Sequence, residues 1–295
     1  MKIAFIGFGE AGSGLAKGLK QAGVAEIRFY DHAWNVPPYG DVIQRRAREA
    51  RALMLPNFEE AVVSAEVVIS CVTAASALEV AKTAKGLLTL EQLYVDVNAA
   101  SPMEMERVAA TIAPSGAQFV DVAMMGAIPA YLHKVPILCS GPGAERFRIL
   151  MSAYEMDITR VGDQPGAASA IKMFRSIFMK GLVALLLETM QATHVYRVDD
   201  VVLGSLAETM EKNPFMETVR SLVTRGLVHA ERRAHELEEV IKTLKSLNVP
   251  YPMAQATMEK LQWCSNLGFK EYFKGETPQT LDEVFAAFDE KLAVS

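Results

Sequence analysis

Cysteine is scarce in this chain of 295 residues: the 3 present, Cys71, Cys139 and Cys264, are widely separated and set among apolar neighbours. An odd number so placed argues against a disulfide framework and a metal site, and it fits a reducing, intracellular compartment. Histidine is scarce as well, with 5 residues. His133 and His235 lack metal-ligand spacing, so no metal is expected. There is no basic excess either: Lys+Arg 30 against Asp+Glu 35 gives a formal net charge of -5. Such a balance provides no field to draw nucleic acid or an anionic membrane. The one basic run, Gln44 to Arg51, interleaves its charges with small residues and reads as a solvated helix face. The longest apolar run, near 182–187, falls far short of the roughly 18 to 20 residues that cross a bilayer. Met1 meets the first apolar stretch almost at once, leaving no room for a cleavable leader, so a cytoplasmic location is expected. Internal repeats and low-complexity tracts are also missing.

What is present is the composition of an ordered globular protein, 51% hydrophobic and 22% charged, in a length that suits two domains. From Lys2 to about Ser140, short apolar runs alternate with longer amphipathic ones, the pattern of βα units that build a parallel sheet. Strands are expected at 3–6, 27–30, 67–71, 94–97, 118–121 and 136–139. Beyond the turn Gly162-Asp163-Gln164-Pro165-Gly166 the pattern changes. Residues 167–193 run without a strand-like break and are rich in Ala, Leu, Met and Lys, which favour helix. Further helices are expected over 222–247 and 254–267. The expected architecture is therefore α/β: a doubly wound parallel sheet over 1–163, then an all-α domain over 164–295. A helix as apolar as 167–193 must be covered on most sides, which calls for helical partners, including a second copy of the chain.

The first strand runs into Gly7-Phe8-Gly9-Glu10-Ala11-Gly12, a G-x-G-x-x-G turn followed by a plausible helix. A lone match of this kind is weak; between strand and helix it reads as a dinucleotide cradle of the Rossmann type. Gly7 permits the turn, Gly9 lets a pyrophosphate approach, Gly12 allows close packing, and the helix N-terminus offers N–H groups to the phosphates. Asp31 closes the second strand, where a carboxylate accepts ribose hydroxyls and repels a 2′-phosphate. NAD is thus the expected cofactor. NADP is the alternative, should Arg45 and Arg46 fold back onto the site.

Lys172 stands in the first turns of an apolar helix. Two readings of it stay open on the residues alone. Desolvation could tune the amine for proton transfer to and from a carbonyl oxygen, or the lysine could extend its stem over apolar surface with its charge in water. Ser176 and Lys180 continue the same helix face, and Arg175 suits either an anionic substrate or a surface ion pair. Cys71, at the end of an apolar strand, reads as core. Met124, Met125, Met173 and Met179 could line an adaptable pocket or simply pack.

These motifs resemble the β-hydroxyacid dehydrogenase family, which includes 3-hydroxyisobutyrate and 6-phosphogluconate dehydrogenases, over nearly the whole chain. The similarity is greatest to its poorly characterised 6-phosphogluconate-dehydrogenase-like branch. Asp96-Val97-Asn98-Ala99-Ala100-Ser101-Pro102 is similar to the family's second motif, with Asn98 in place of a serine. Asp121-Val122-Ala123-Met124-Met125-Gly126-Ala127 is similar to its substrate motif, with Met125 where the family has its substrate-contacting serine. In the segment from Pro165 to Ser176, Lys172 falls on the family's catalytic lysine and Ser176 on its usual asparagine. His235-Glu236 aligns loosely with a late Lys-Asp pair.

The resemblance implies an NAD(P)-dependent dehydrogenase or reductase acting on a hydroxy or oxo compound, with β-hydroxyacid-like substrates expected. Lys172 would be the general acid/base and Ser176 its helper. Asn98, Met125, Gly126 and Arg175 would lie with Lys172 and Ser176 at the substrate. The glycine turn, Asp31, Val72, Thr73, Asn98 and His235 would lie at the cofactor. It also implies a homodimer formed through the helical domain. Two other readings are carried alongside: an imine reductase, whose relatives usually lack the lysine, and a dinucleotide-binding sensor or scaffold without turnover.

Overall fold

The computed structural model describes residues 1–293. In chain order the elements of the first part are β1 (Lys2–Ile6), α1 (Glu10–Gln21), β2 (Glu26–Tyr30), α2 (Tyr39–Ala50), β3 (Leu53–Met54), α3 (Phe58–Val62), β4 (Val67–Ser70) and α4 (Ala77–Ala84). They continue as β5 (Leu93–Asp96), α5 (Pro102–Ile112), β6 (Gln118–Met124), α6 (Ile128–Tyr131), β7 (Ile137–Ser140), α7 (Ala144–Ser152) and β8 (Ile158–Gly162). The remainder is helical: α8 (Ala167–Tyr196), α9 (Asp199–Glu211), α10 (Phe215–Val228), α11 (Ala230–Ser246), α12 (Pro252–Asn266), α13 (Phe269–Tyr272) and α14 (Leu281–Ala293).

Among the described residues the strands form one sheet of 8, ordered β3-β2-β1-β4-β5-β6-β7-β8. Strand side chains alternate between faces, and here both faces are covered. Ile3, Phe5, Ile27, Phe29, Val67 and Ile69 belong to one core, while Ala4, Ile6, Val68, Tyr94 and Phe119 belong to the other. That is why these strands read as unbroken apolar runs.

The sheet is parallel except that β7 pairs antiparallel with β6. The connection between them holds only the one-turn helix α6 and a short 3-10 turn, too little for a crossover that would return the chain parallel. Two strands escape the sequence pattern. β3 has 2 residues, and β8 lies at the sheet edge with exposed and half-buried side chains, so neither carries an apolar run.

The chain divides into two compact units, Met1–Ile177 and Phe178–Ser295. The sequence pattern places this division at 163/164; the observed one lies further along because the first turn of α8 is bonded to β6 and β7. In the second unit, Leu227, Ala230, Cys264, Phe269, Val284 and Ala287 form one small core, and Ile241, Leu244, Val249 and Ala254 form another. The Glu188 carboxylate accepts from Met253 N–H and Ala254 N–H, both at 2.8 Å. It thereby satisfies the open amides at the start of α12 and complements its dipole. The single helix expected over 222–247 is divided at His229 into α10 and α11. No described helix is long and apolar enough to cross a membrane.

Candidate active site

The chain lays down β2 and β3 on one side of β1, then returns to place β4 and its successors on the other. Ligands of such sheets bind outside the carboxyl ends of the strands, where the order reverses. The glycine turn after β1 and residues Val72 and Thr73 after β4 meet at that point. They open onto a cavity of about 710 Å³ whose lining includes Gly7, Gly9, Glu10, Ala11, Asp31, Val72 and Thr73.

Each glycine of the turn has its own reason. Gly7 has φ +90, and a Cβ there would stand 2.2 Å from the Cys71 carbonyl oxygen. A Cβ on Gly12 would stand 2.7 Å from the Gly7 carbonyl oxygen. At Gly9 a Cβ would meet nothing within 4 Å, so that position leaves room for a ligand rather than for packing. Gly9 also caps α1 without any side-chain hydrogen bond, so the first amides of the helix are offered to whatever lies in the groove.

Phe8 is a correction to the expected cofactor set. Its ring is fully buried and stacks on Phe29 with centroids 4.0 Å apart. Its N–H donates to Asp31 Oδ2 at 2.7 Å, so neither its side chain nor its amide faces a ligand. The other oxygen of Asp31 accepts from Ala33 N–H at 2.8 Å. The carboxylate thus holds the turn in shape, and each oxygen keeps a lone pair for a ribose hydroxyl. Arg46 lines the same cavity with His32 and Tyr39, whereas Arg45 is exposed on α2.

Beside the groove runs a feature that the motifs of the sequence do not announce. Ser70, Asp96, Asp121 and Ser140 close β4, β5 and β7 and lie within β6, and they are registered neighbours across four strands. All four are fully buried. Asn98 bridges this row to the cofactor loop. Its amide nitrogen donates to Ser70 Oγ at 2.9 Å, and its carbonyl oxygen accepts from Val72 N–H at 2.6 Å. Asn98 is itself buried, and these two bonds brace the loop beside the groove; its expected contact with substrate or ribose rests on the resemblance. Asp96 Oδ1 accepts from Asn98 N–H at 2.9 Å, while Oδ2 has no partner. Burial pushes the Asp96 carboxyl up to about 7, with the Asp121 carboxylate adding to the shift and hydrogen bonds from Asn98 opposing it.

At the far end of the row, Asp121 and Ser140 bond to the start of α8, the helix that carries Lys172. Lys172 and Ser176 are half-buried and Arg175 is exposed. Ser176 Oγ donates to the Lys172 carbonyl oxygen at 2.9 Å, so its hydroxyl proton is engaged and only its lone pairs remain for a ligand. The turn that follows the segment expected to meet the substrate is held against α1: a Cβ on Gly14 would lie 2.2 Å from Ile128, and one on Gly18 would lie 2.2 Å from the His133 ring. Met125 N–H donates to the Pro136 carbonyl oxygen at 2.8 Å, leaving its side chain half-buried and Gly126 exposed. His235 belongs to the second unit, exposed on α11 beside Glu231, Arg232, Glu236 and Glu239. Its place at the cofactor rests on the resemblance alone.

Cys71 lies against the glycine turn, where burial pushes its thiol up to about 12, which keeps it in the unreactive thiol form at neutral pH. Among the described residues no three His, Cys, Asp or Glu side chains come together to hold a metal ion. A signal for the polar row does exist in the sequence: four apolar runs each close on, or lead into, a Ser or Asp.

Comparison with known proteins identifies the two parts of the chain differently. Residues 2–152 match the family model of the NAD binding domain of 6-phosphogluconate dehydrogenase, and residues 194–264 match a domain of unknown function. An uncharacterised 28.5 kDa protein from Methanothermus fervidus is 32% identical over 257 residues, covering 87% of this chain and 96% of the relative. A conserved hypothetical protein from Sinorhizobium meliloti 1021 is 33% identical with a TM-score of 0.63, over 89% of this chain and 87% of that one. A second solved structure is a conserved protein of unknown function described as structurally similar to 3-hydroxyacid dehydrogenases. It is 32% identical with a TM-score of 0.62, over 92% of this chain and 99% of that one. An imine reductase from Myxococcus stipitatus in complex with NADP+ shares the fold, with a TM-score of 0.72 at 15% identity over 91% of this chain and 95% of that one.

Proposed function

The chain belongs to the family of the NAD binding domain of 6-phosphogluconate dehydrogenase, and from that premise we propose that it is an oxidoreductase acting on a hydroxy or oxo compound with Lys172 as general acid/base. The observation that carries the reading is the glycine turn: Gly9 has nothing within 4 Å of its Cβ position and faces a cavity of about 710 Å³ at the strand ends. A packing turn would have filled that space; a dinucleotide cradle needs it empty. When bound, the nicotinamide supplies or takes the hydride.

The remaining work falls to the chain. The open amides of α1 hold the pyrophosphate, aided by the helix dipole, and Asp31 accepts from the adenosine ribose. Val72 and Thr73 form the facing wall, kept in place by Asn98. In the reductive direction negative charge grows on the carbonyl oxygen, and the Lys172 ammonium stabilises that charge and gives up a proton from Nζ. In the oxidative direction the neutral amine takes the hydroxyl proton. Ser176 accepts a hydrogen bond from the substrate, since its own proton is engaged. Met125 cannot donate a hydrogen bond to a carboxylate, so recognition of an acid group falls to the Gly126 N–H and Arg175. The apolar outer face of α8 and α9 is covered by a second copy of the chain, making the working form a homodimer.

The test is a spectrophotometric panel of hydroxy acids, oxo acids and cyclic imines with NAD(H) and NADP(H), run on the wild type and on Lys172→Ala. Turnover of an oxo or hydroxy acid is expected. The variant should keep its NADH affinity and lose at least about a hundredfold in rate. An unchanged rate removes Lys172 from the chemistry; reduction of imines alone replaces the substrate class; tight NADH binding with no turnover across the panel turns the reading to a sensor.

A further inference from the structure

The start of a helix leaves its first amides without intrahelical partners, and in α8 two of them are met by strand residues. Ala168 N–H donates to Ser140 Oγ at 3.0 Å, and Ser140 Oγ in turn donates to Asp121 Oδ2 at 3.1 Å. Ser169 N–H donates to the same Oδ2 at 3.0 Å, and Ser169 Oγ donates to Oδ1 at 2.6 Å. One buried carboxylate therefore receives three hydrogen bonds, two of them from a single residue of α8. Asp121, Ser140 and Ser169 are all buried, so these charge-assisted bonds are shielded from water and geometrically exacting.

Their location bears on Lys172. At about 100° per residue, positions three and seven apart on a helix return to nearly the same side. Ser169, Lys172 and Ser176 thus share one face, and Ser169 on that face bonds Asp121, which lies within β6 level with the carboxyl ends of β4 and β5. The glycine turn and Val72 lie at that same end of the sheet. Two bonds to one side chain settle both the rotation of a helix about its axis and its height along it; a single bond would leave the rotation free.

We propose that Asp121 is a positioning residue: gripping Ser169 by its amide and its hydroxyl, with Ser140 completing the clamp, it sets where the Nζ of Lys172 stands. This rests on the assignment of Lys172 as general acid/base. A helix cap alone would affect stability; a positioning clamp must also affect the lysine.

The experiment compares Ser169→Ala, which removes the hydroxyl arm, Ser169→Thr, which keeps it, and Asp121→Asn, which removes the charge. Each variant is measured for thermal midpoint and for NADH affinity by fluorescence titration. The rate at which Lys172 is acylated by an N-hydroxysuccinimide ester is then read by peptide mass spectrometry, with Lys242 as an exposed internal reference. Ser169→Ala should melt within about 5 °C of wild type and bind NADH within about twofold, yet change the acylation rate of Lys172 by about threefold or more. Ser169→Thr should return that rate to the wild-type value, and kcat on an oxo acid from the panel should fall about tenfold or more in Ser169→Ala with the KM for NADH unchanged. An acylation rate that stays at the wild-type value in Ser169→Ala overturns the proposal, even if Asp121→Asn does not fold. A changed rate together with full turnover in Lys172→Ala would leave the clamp standing and remove the lysine from the chemistry, so the two failures are told apart.

Discussion

The sheet of the first unit and the long helices after it use apolar residues in opposite ways. In the sheet, Ile3, Phe5, Val67, Val68, Tyr94 and Val95 are buried on both faces, and the polar groups that enter the interior are nearly all bonded. Along α8 and α9 large apolar side chains face outward: Ile177 is 73% exposed, Leu187 67% and Val201 75%. Both regions read as apolar, but the sheet buries its apolar side chains on both faces, whereas α8 and α9 leave many of theirs exposed. Large exposed apolar patches commonly mark interaction surfaces, so the contrast bears directly on the homodimer proposed above.

Placing the same charge in each region tests that contrast most directly. Val68→Glu, in the first unit, should cost more than about 4 kcal/mol and abolish recovery of folded protein, because the buried carboxylate has no partner. Val201→Glu combined with Ile177→Glu should leave the chain folded by circular dichroism but weaken self-association by about a hundredfold or more, as charge at an interface centre does. Sedimentation equilibrium reads this directly. A wild type that sediments as a monomer at high concentration would break the comparison.

A smaller effect is expected at the groove. Gly9→Val adds a side chain where no protein atom stands within 4 Å, so the thermal midpoint should change little while NADH affinity falls about tenfold to a hundredfold through lost contact with the phosphates. If affinity is retained, the groove is not the cofactor site.

The smallest effect belongs to the buried row. Burial raises the Asp96 carboxyl from 3.8 to about 7, so between those values the folded chain holds a proton that the unfolded chain has released. Its contribution to stability is therefore complete below about pH 4 and is lost as pH rises through about 7. Asp96→Asn, which cannot ionise, should be more stable than wild type by on the order of 2 kcal/mol at pH 8, with the advantage fading toward pH 4. Urea unfolding at the two pH values checks this; an equal advantage at both would mean that the charge is not its source.

Much of the site is legible in the amino-acid order alone. Gly7, Gly9, Gly12 and Asp31 stand where strand, turn and helix converge, and a local pattern suffices because the atoms that matter are neighbours along the chain. Phe8 escapes that pattern because a turn residue's side chain can face either way, and only packing against Phe29 decides it. Asn98 escapes it for a related reason: its partners Ser70 and Val72 come from another strand end. Asp121 is the clearest case, since it sits within a recognisable motif while its bonds to Ser169 join residues far apart in sequence.

Periodicity and turn chemistry along the chain determined most of the strands and helices and where a dinucleotide could be cradled, since those depend on near neighbours and on the spacing of apolar residues. Register across the sheet, the antiparallel return of β7 and the buried row that grips α8 were decided only in three dimensions. Such bonds exist only once distant strands lie side by side, and a hydroxyl or carboxylate in a sequence does not say which distant amide it will meet.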